Sequence, residues 1–214
     1  MNGTVAIVPF LGAPGFIKSV GDGHFNDVSD FIDGDLILNV RSSSASYTGY
    51  RVTFSANINP AYACGSGSTL PLSGGCYKAN FQVPPGDDFS EVRIPFNMFS
   101  DHWSPATGEP TKKCSEHPEV CPTAKQLKKI KRIELWAEGI ASDVHLEVSS
   151  IKAGVLAPSV QKKDETDEIS LATFDGAQDT TFKFHSQNDP VMVSAFLLDN
   201  QFLFQLFGQH QSNF

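Results

Sequence analysis

Four aspartates stand close together early in the chain: Asp27, Asp30, Asp33 and Asp35. Clustered carboxylates joined by backbone oxygens are the donor set of a calcium site. The same residues also make Asx-turns at the entrance of a strand. A second set is aromatic and basic. Tyr47, Arg51, Trp103 and Trp136 combine a guanidinium with rings able to stack on a sugar or grip a carboxylate. Other chemistry has no support in the spacing. The Gly65–Ser68 run "GSGS" lacks a G-x-S-x-G frame, and no Gly-rich loop leads into a Lys-Ser/Thr helix start. His24, His102, His117, His145, His185 and His210 stand at no metal-ligand spacing from one another. The sequence predicts no catalytic residue, no cofactor and no enzyme, and its only metal candidates are the four aspartates.

The cysteines form two local pairs, Cys64/Cys76 around "CGSGSTLPLSGGC" and Cys114/Cys121 around "CSEHPEVC". Neither has the CxxC spacing of a zinc knuckle. Two short-loop disulfides, Cys64–Cys76 and Cys114–Cys121, are the expectation, against reduced loop cysteines as the alternative; disulfides would imply an oxidising compartment.

These residues need elements to hold them. At 214 residues the chain has room for one substantial domain, or one domain plus a fragment. Seventeen Phe, 17 Gly and 13 Pro suit strands joined by turns. A net charge of −8 argues against nucleic-acid binding, where a basic surface supplies most of the affinity. The exception is Lys125–Arg132, "KQLKKIKR", read as a solvated turn or as a docking patch for an acidic partner. No apolar run approaches the roughly 20 residues of a membrane span. The start, "MNGTVAIVPFLGAPGF", carries no basic leader. Asn2-Gly3-Thr4 is a glycosylation triplet that matters only in the secretory route.

Period-2 alternation predicts the strands. Gly34–Val40 places Leu36, Leu38 and Val40 on one face, and Tyr50–Ala56 sets Val52 and Phe54 against Arg51, Thr53 and Ser55. Tyr77–Val83 aligns Tyr77, Ala79, Phe81 and Val83, and Glu91–Phe96 aligns Val92, Ile94 and Phe96. Pro95, lacking a ladder donor, belongs at an edge or at the end of its strand. Arg132–Glu138 turns Ile133, Leu135 and Ala137 away from Glu134, Trp136 and Glu138; His145–Lys152 contains an irregularity before Ile151. Thr123 caps a short helical turn with Leu127 and Ile130 on its apolar side. Short strands with few helices predict an all-β jelly-roll sandwich. Residues 157–168, "APSVQKKDETDE", have no apolar period and form an acidic linker. Residues 169–192 contain two further strands, and 193–214 form an apolar tail without clean register.

The ordered set "PGFIKSV" (Pro14–Val20), "DVSDFIDGDLILNVRSS" (Asp27–Ser43), "YTGYRVTFSA" (Tyr47–Ala56), "YKANFQVP" (Tyr77–Pro84), "FSEVRIPFNMF" (Phe89–Phe99), "IKRIELWAEG" (Ile130–Gly139) and "HLEVSSIKAG" (His145–Gly154) resembles the complex I intermediate-associated protein 30 (CIA30) domain family. The resemblance implies a galactose-binding-like jelly roll over residues 1–156. That family opens with strands of the type F-D…F-x-F…NDPVMGG-x-S. Here their counterparts are Phe174-Asp175, Phe182, Phe184 and Asn188–Met192, after the domain rather than before it, and "VSAFLL" replaces the double glycine and serine. Three readings of 169–192 follow: the start of a second unit in a truncated tandem protein, a permuted segment that completes the first sandwich, or an unrelated tail.

The resemblance implies a non-enzymatic interaction or assembly-factor module with a protein partner, and a mitochondrial location. The alternative is a carbohydrate-binding module, which needs Trp103 or Trp136 exposed beside polar groups. Three placements of Trp136 stand: an exposed sheet face, membership of the other apolar layer, or burial beneath the Pro-rich loop 102–122. Burial of both tryptophans would favour protein docking or a structural role.

Overall fold

The computed structural model describes residues 1–56, 76–104, 107–155 and 167–174 in full, and the backbone of 181–186, 193–198 and 201–206. In chain order the strands are Asn2–Val5 (β1), Ile7–Val8 (β2), Ala13–Pro14 (β3), Phe16–Asp22 (β4), Asp35–Arg41 (β5), Tyr50–Ser55 (β6), Cys76–Asn80 (β7) and Ser90–Pro95 (β8). They continue with Arg132–Glu138 (β9), Ser142–His145 (β10), Glu147–Gly154 (β11), Glu168–Thr173 (β12), Thr181–Ser186 (β13), Val193–Leu198 (β14) and Gln201–Leu206 (β15). Two antiparallel sheets form an all-β sandwich: a five-stranded sheet in the order β13-β4-β9-β6-β7 and a four-stranded one in the order β12-β11-β5-β8. Small ladders β1-β10 and β2-β3 flank them.

Alternation explains the interior. From the five-stranded sheet Ile17, Tyr50, Val52, Phe54, Ile133, Leu135 and Ala137 point inward, and Leu36, Leu38, Val40, Ile94 and Ile151 meet them from the other sheet in one core. Phe54 anchors an aromatic cluster, with Tyr77 at 5.4 Å and Phe99 at 5.0 Å between ring centroids. Each fully buried side chain of this kind contributes about 1.5–3 kcal/mol. Pro95 is the last residue of β8, an edge strand, where its missing N–H costs no ladder bond. The register of β11 against β5 shifts between Val148 and Ser150, the irregularity expected before Ile151.

Thr123 heads the helical turn Ala124–Leu127 (α1), in a capping box with Gln126, and seats Leu127 and Ile130 in the core. Lys125, Lys128, Lys129 and Lys131 around it are exposed, whereas Arg132 is buried. Among the described residues no helix is long and apolar enough to cross a membrane.

Some elements differ from the sequence reading. β7 ends at Asn80, one residue before Phe81 gives its last cross-strand bond to the Tyr50 carbonyl (3.2 Å), and Phe81 and Val83 stay buried. The acidic stretch ends one residue early, since Glu168 already belongs to β12; residues 156–166 lie outside the described ones. β12 pairs with β11, and β13 pairs with β4, setting Phe182 opposite Gly21 and Phe184 opposite Ser19. Asn188–Met192 lies outside the described residues. Within 193–214, β14 and β15 form an antiparallel ladder with Val193 opposite Leu206.

Candidate functional site: a covered charge layer

The outward rows of the five-stranded sheet are polar by alternation, and register brings them together. Lys18, Trp136, Arg51 and Asn80 form one row; Val20, Glu134, Thr53 and Lys78 the next; Asp22, Arg132, Ser55 and Cys76 a third. Water would normally cover such a face. Instead β6 and β9 are buried along their whole length. The segment after β8 lies over them, docked by the reciprocal backbone bonds of Lys78 and Ser100. Arg51 ties it down, donating from Nε to the Gly108 carbonyl (3.2 Å) and from Nη2 to the Thr107 carbonyl (3.3 Å) and Glu109 Oε1 (2.5 Å). Asn80 donates to Glu109 Oε2 at 2.9 Å. Gly108 sits at φ +71°, and a Cβ there would collide with the Glu138 carboxylate and Arg51, so the closest part of the cover requires glycine.

Beneath the cover the charges are matched. Lys78 Nζ donates to Glu138 Oε1 at 2.6 Å, with Arg51 Nε 3.9 Å from the same oxygen. Lys18 Nζ donates to Glu134 Oε1 at 3.2 Å, while Thr53 (3.3 Å) and the Trp136 indole N–H (2.9 Å) donate to Oε2. Arg132 grips Asp22 through Nε at 2.6 Å and Nη2 at 2.9 Å. The cations Lys18, Arg51, Lys78 and Arg132 thus face the carboxylates Asp22, Glu109, Glu134 and Glu138. The indoles add to this. Lys78 Nζ lies 3.7 Å from the Trp103 ring centroid and 4.1 Å from that of Trp136; Lys18 Nζ lies 4.4 Å from Trp136. Burial lowers the pKa of both lysines, against the opposing pull of Glu138 on Lys78 and Glu134 on Lys18. Such a layer fixes the cover to the sheet.

Three of the four aromatic and basic candidates meet here, and Tyr47 packs on the core side, its ring 4.9 Å from that of Tyr50. Arg51 (2% exposed), Trp103 (5%) and Trp136 (5%) lie in the layer, and Tyr47 donates to the backbone carbonyls of Glu138 and Ile140, both at 3.2 Å. Their placement differs from an exposed stacking platform: the described part of the 102–122 loop covers the face, the last of the three placements considered for Trp136. The Trp103 indole N–H is buried without a hydrogen-bond partner.

The aspartates do not gather. Asp27 Oδ1 accepts from the backbone N–H and hydroxyl of Ser29 in an Asx-turn, and its other oxygen is 3.7 Å from Lys128. Asp35 faces Arg93 at 3.6 Å, and Asp30 and Asp33 are exposed. Among the described residues, no three His, Cys, Asp or Glu side chains are placed to hold a metal.

Cys114 and Cys121 form a disulfide within the cover, with Cα atoms 4.9 Å apart. Cys76 is buried and is not a free thiol; Cys64 lies outside the described residues. Sequence reasoning missed Lys18, Lys78, Arg132, Glu134 and Glu138 as members of the layer. The available signal was the occurrence of both charge signs, with a tryptophan, on the polar sides of strands that pair. No family model, no curated protein and no solved structure matches the chain.

Proposed function

We propose that this chain is a non-enzymatic protein-interaction module of the assembly-factor kind, built on a galactose-binding-like jelly roll of the complex I intermediate-associated protein 30 type. The observation that carries the reading is the sealing of Trp103 and Trp136 in a charge-matched layer, which removes the aromatic platform that sugar binding needs. The addition of β12 to one sheet and β13 to the other supports a permuted order, in which strands late in the chain complete one sandwich. A protein partner finds apolar side chains at one end. The β2–β3 hairpin exposes Ile7 and Phe10, and the turn after β9 exposes Ile140; the pairing of Phe16 with Glu138 sets these at the same end. The Cys114–Cys121 disulfide fits an oxidising compartment, and the family resemblance points to the mitochondrion.

The test runs the tagged chain on native gels of mitochondrial extract, probed for assembly intermediates of the respiratory complex, with a glycan array in parallel. Co-migration that is lost in Ile7→Asp/Phe10→Asp, with a blank array, is expected. Saturable glycan binding without co-migration would replace this reading with the carbohydrate one.

A further inference from the structure

A cleft of about 340 Å³ opens between the two sheets, on the face of the five-stranded sheet opposite the charge layer. Its walls are mostly apolar: Leu135 from β9, Leu146 and Val148 around the start of β11, and Phe89 and Phe174 at the rim. Both phenylalanines are exposed. Single exposed apolar side chains need no explanation, but a concave apolar space of this size with a few polar groups has the form of a small-molecule site.

Two polar side chains line the cleft, and they differ in what they can still bind. Glu147 already has its partners. Its Oε2 accepts from Arg41 Nη2 at 2.8 Å and its Oε1 lies 3.4 Å from His145 Nε2. The Met1 amine, which donates to the Leu146 carbonyl at 2.6 Å, adds a further positive charge near it. Ser19 of β4 is the opposite case. It is the small member of an inward row that otherwise holds Leu135 and Val52. It lines the cleft, and its hydroxyl makes no hydrogen bond among the described residues. A hydroxyl can donate one hydrogen bond and accept two, so this one is left for whatever fills the space.

We propose that this cleft binds a small neutral alcohol, its hydrocarbon part on Leu135, Leu146 and Val148 between the rim phenylalanines and its oxygen hydrogen-bonded to Ser19. Both halves follow from the lining: apolar burial supplies affinity, and the Ser19 hydroxyl selects an uncharged hydrogen-bonding head. An ammonium or a carboxylate would lose its hydration without gaining an unpaired counter-charge, because Arg41 already holds Glu147.

The test titrates the full chain with diphenylhexatriene, a hydrocarbon whose emission rises in apolar sites. The dye is then displaced with octanol, octylammonium and octanoate. Saturable dye binding, weakened about tenfold by Val148→Trp or by Phe174→Ser, is expected for a site of this lining. Octanol should compete at roughly tenfold lower concentration than either ion. Ser19→Ala should weaken octanol about fivefold, the worth of one neutral hydrogen bond, and leave the dye's own affinity unchanged. An advantage of octanol that came from its hydrophobicity alone would survive Ser19→Ala, so this variant isolates the hydroxyl contact. Phe174→Ser changes an exposed side chain, so it reports on the cleft even if the tryptophan variant misfolds. Dye binding unchanged in Phe174→Ser, octanol affinity unchanged in Ser19→Ala, or an ion that competes as well as octanol would overturn the proposal.

Discussion

Replacing Lys78 by methionine tests the charge layer at its centre. The Lys78 side chain is 1% exposed and that of its partner Glu138 7%, so neither charge is hydrated. Methionine keeps the length and apolar stem but leaves Glu138 with only the more distant Arg51, 3.9 Å away. Removing one member of a buried pair costs about 3–5 kcal/mol, because the other charge stays buried without compensation. Arg51 places Lys78→Met near the lower end, about 3 kcal/mol. In a chain of this size that is a drop of roughly 6–12 °C in Tm. Glu138→Gln strands an ammonium between two indoles and belongs at or above the same value. The double variant Lys78→Met/Glu138→Gln leaves no stranded charge and should recover most of the loss, with a coupling of about 2 kcal/mol. Urea unfolding followed by circular dichroism, with m-values compared across the cycle, measures all of this. Single variants within about 0.5 kcal/mol of the parent at unchanged m would refute the reasoning, since only a hydrated pair is so cheaply broken.

Three further outcomes follow from the same structure. Changing Cys114 and Cys121 to alanine frees a short loop (sequence separation 7) and should cost about 2 kcal/mol on the loop-entropy account, read as a lower Tm. Leu171→Ala should cost about 3 kcal/mol in a urea melt, since Leu171 of β12 is 2% exposed in the common core; a surface-like effect would detach β12 from the sandwich. Tyr47, Tyr50 and Tyr77 all have raised pKa values because burial disfavours the phenolate, Tyr77 to about 12. Ultraviolet titration should therefore find Tyr47 and Tyr77 protonated in the folded protein at about pH 11, where free tyrosine is ionised, with Tyr50 ionising later than free tyrosine. A raised folded-state value gives stability that is complete below the unfolded value near pH 10 and is lost as pH climbs through the folded one. Ordinary titration of all the tyrosines before any loss of structure would contradict their burial.

The alternating strands were the legible part of the fold. Val52 and Phe54, Ile133 and Leu135, and the kink ahead of Ile151 follow from period 2 and its interruption, and Thr123 was legible as the cap of a helical turn with Leu127 and Ile130 on its apolar side. What alternation cannot say is whether the polar side of a strand meets water. Arg51, Thr53, Glu134 and Trp136 have the periodicity of an exposed face, yet an aperiodic loop covers them; a covering loop leaves no period of its own to read. The candidate site was half legible for that reason: its aromatic residues stood out, whereas Lys18, Lys78 and Glu138 looked like solvated charges. The short ladders β1-β10 and β2-β3 also gave no signal, because strands of two to four residues are too brief to establish a period. For the aspartates, spacing suggested convergence, but Asp27 closes an Asx-turn and Asp35 turns to Arg93.

The chain has two tryptophans, Trp136 beneath the cover and Trp103 buried on its inner side, so acrylamide quenching of intrinsic fluorescence reports on that face with no mutation. A sealed layer gives blue-shifted emission and a quenching slope several-fold below that of free indole, rising to the free value in urea. Quenching of the native protein as strong as that of the unfolded chain would place the indoles in water, open the sheet face to ligands and contradict the account.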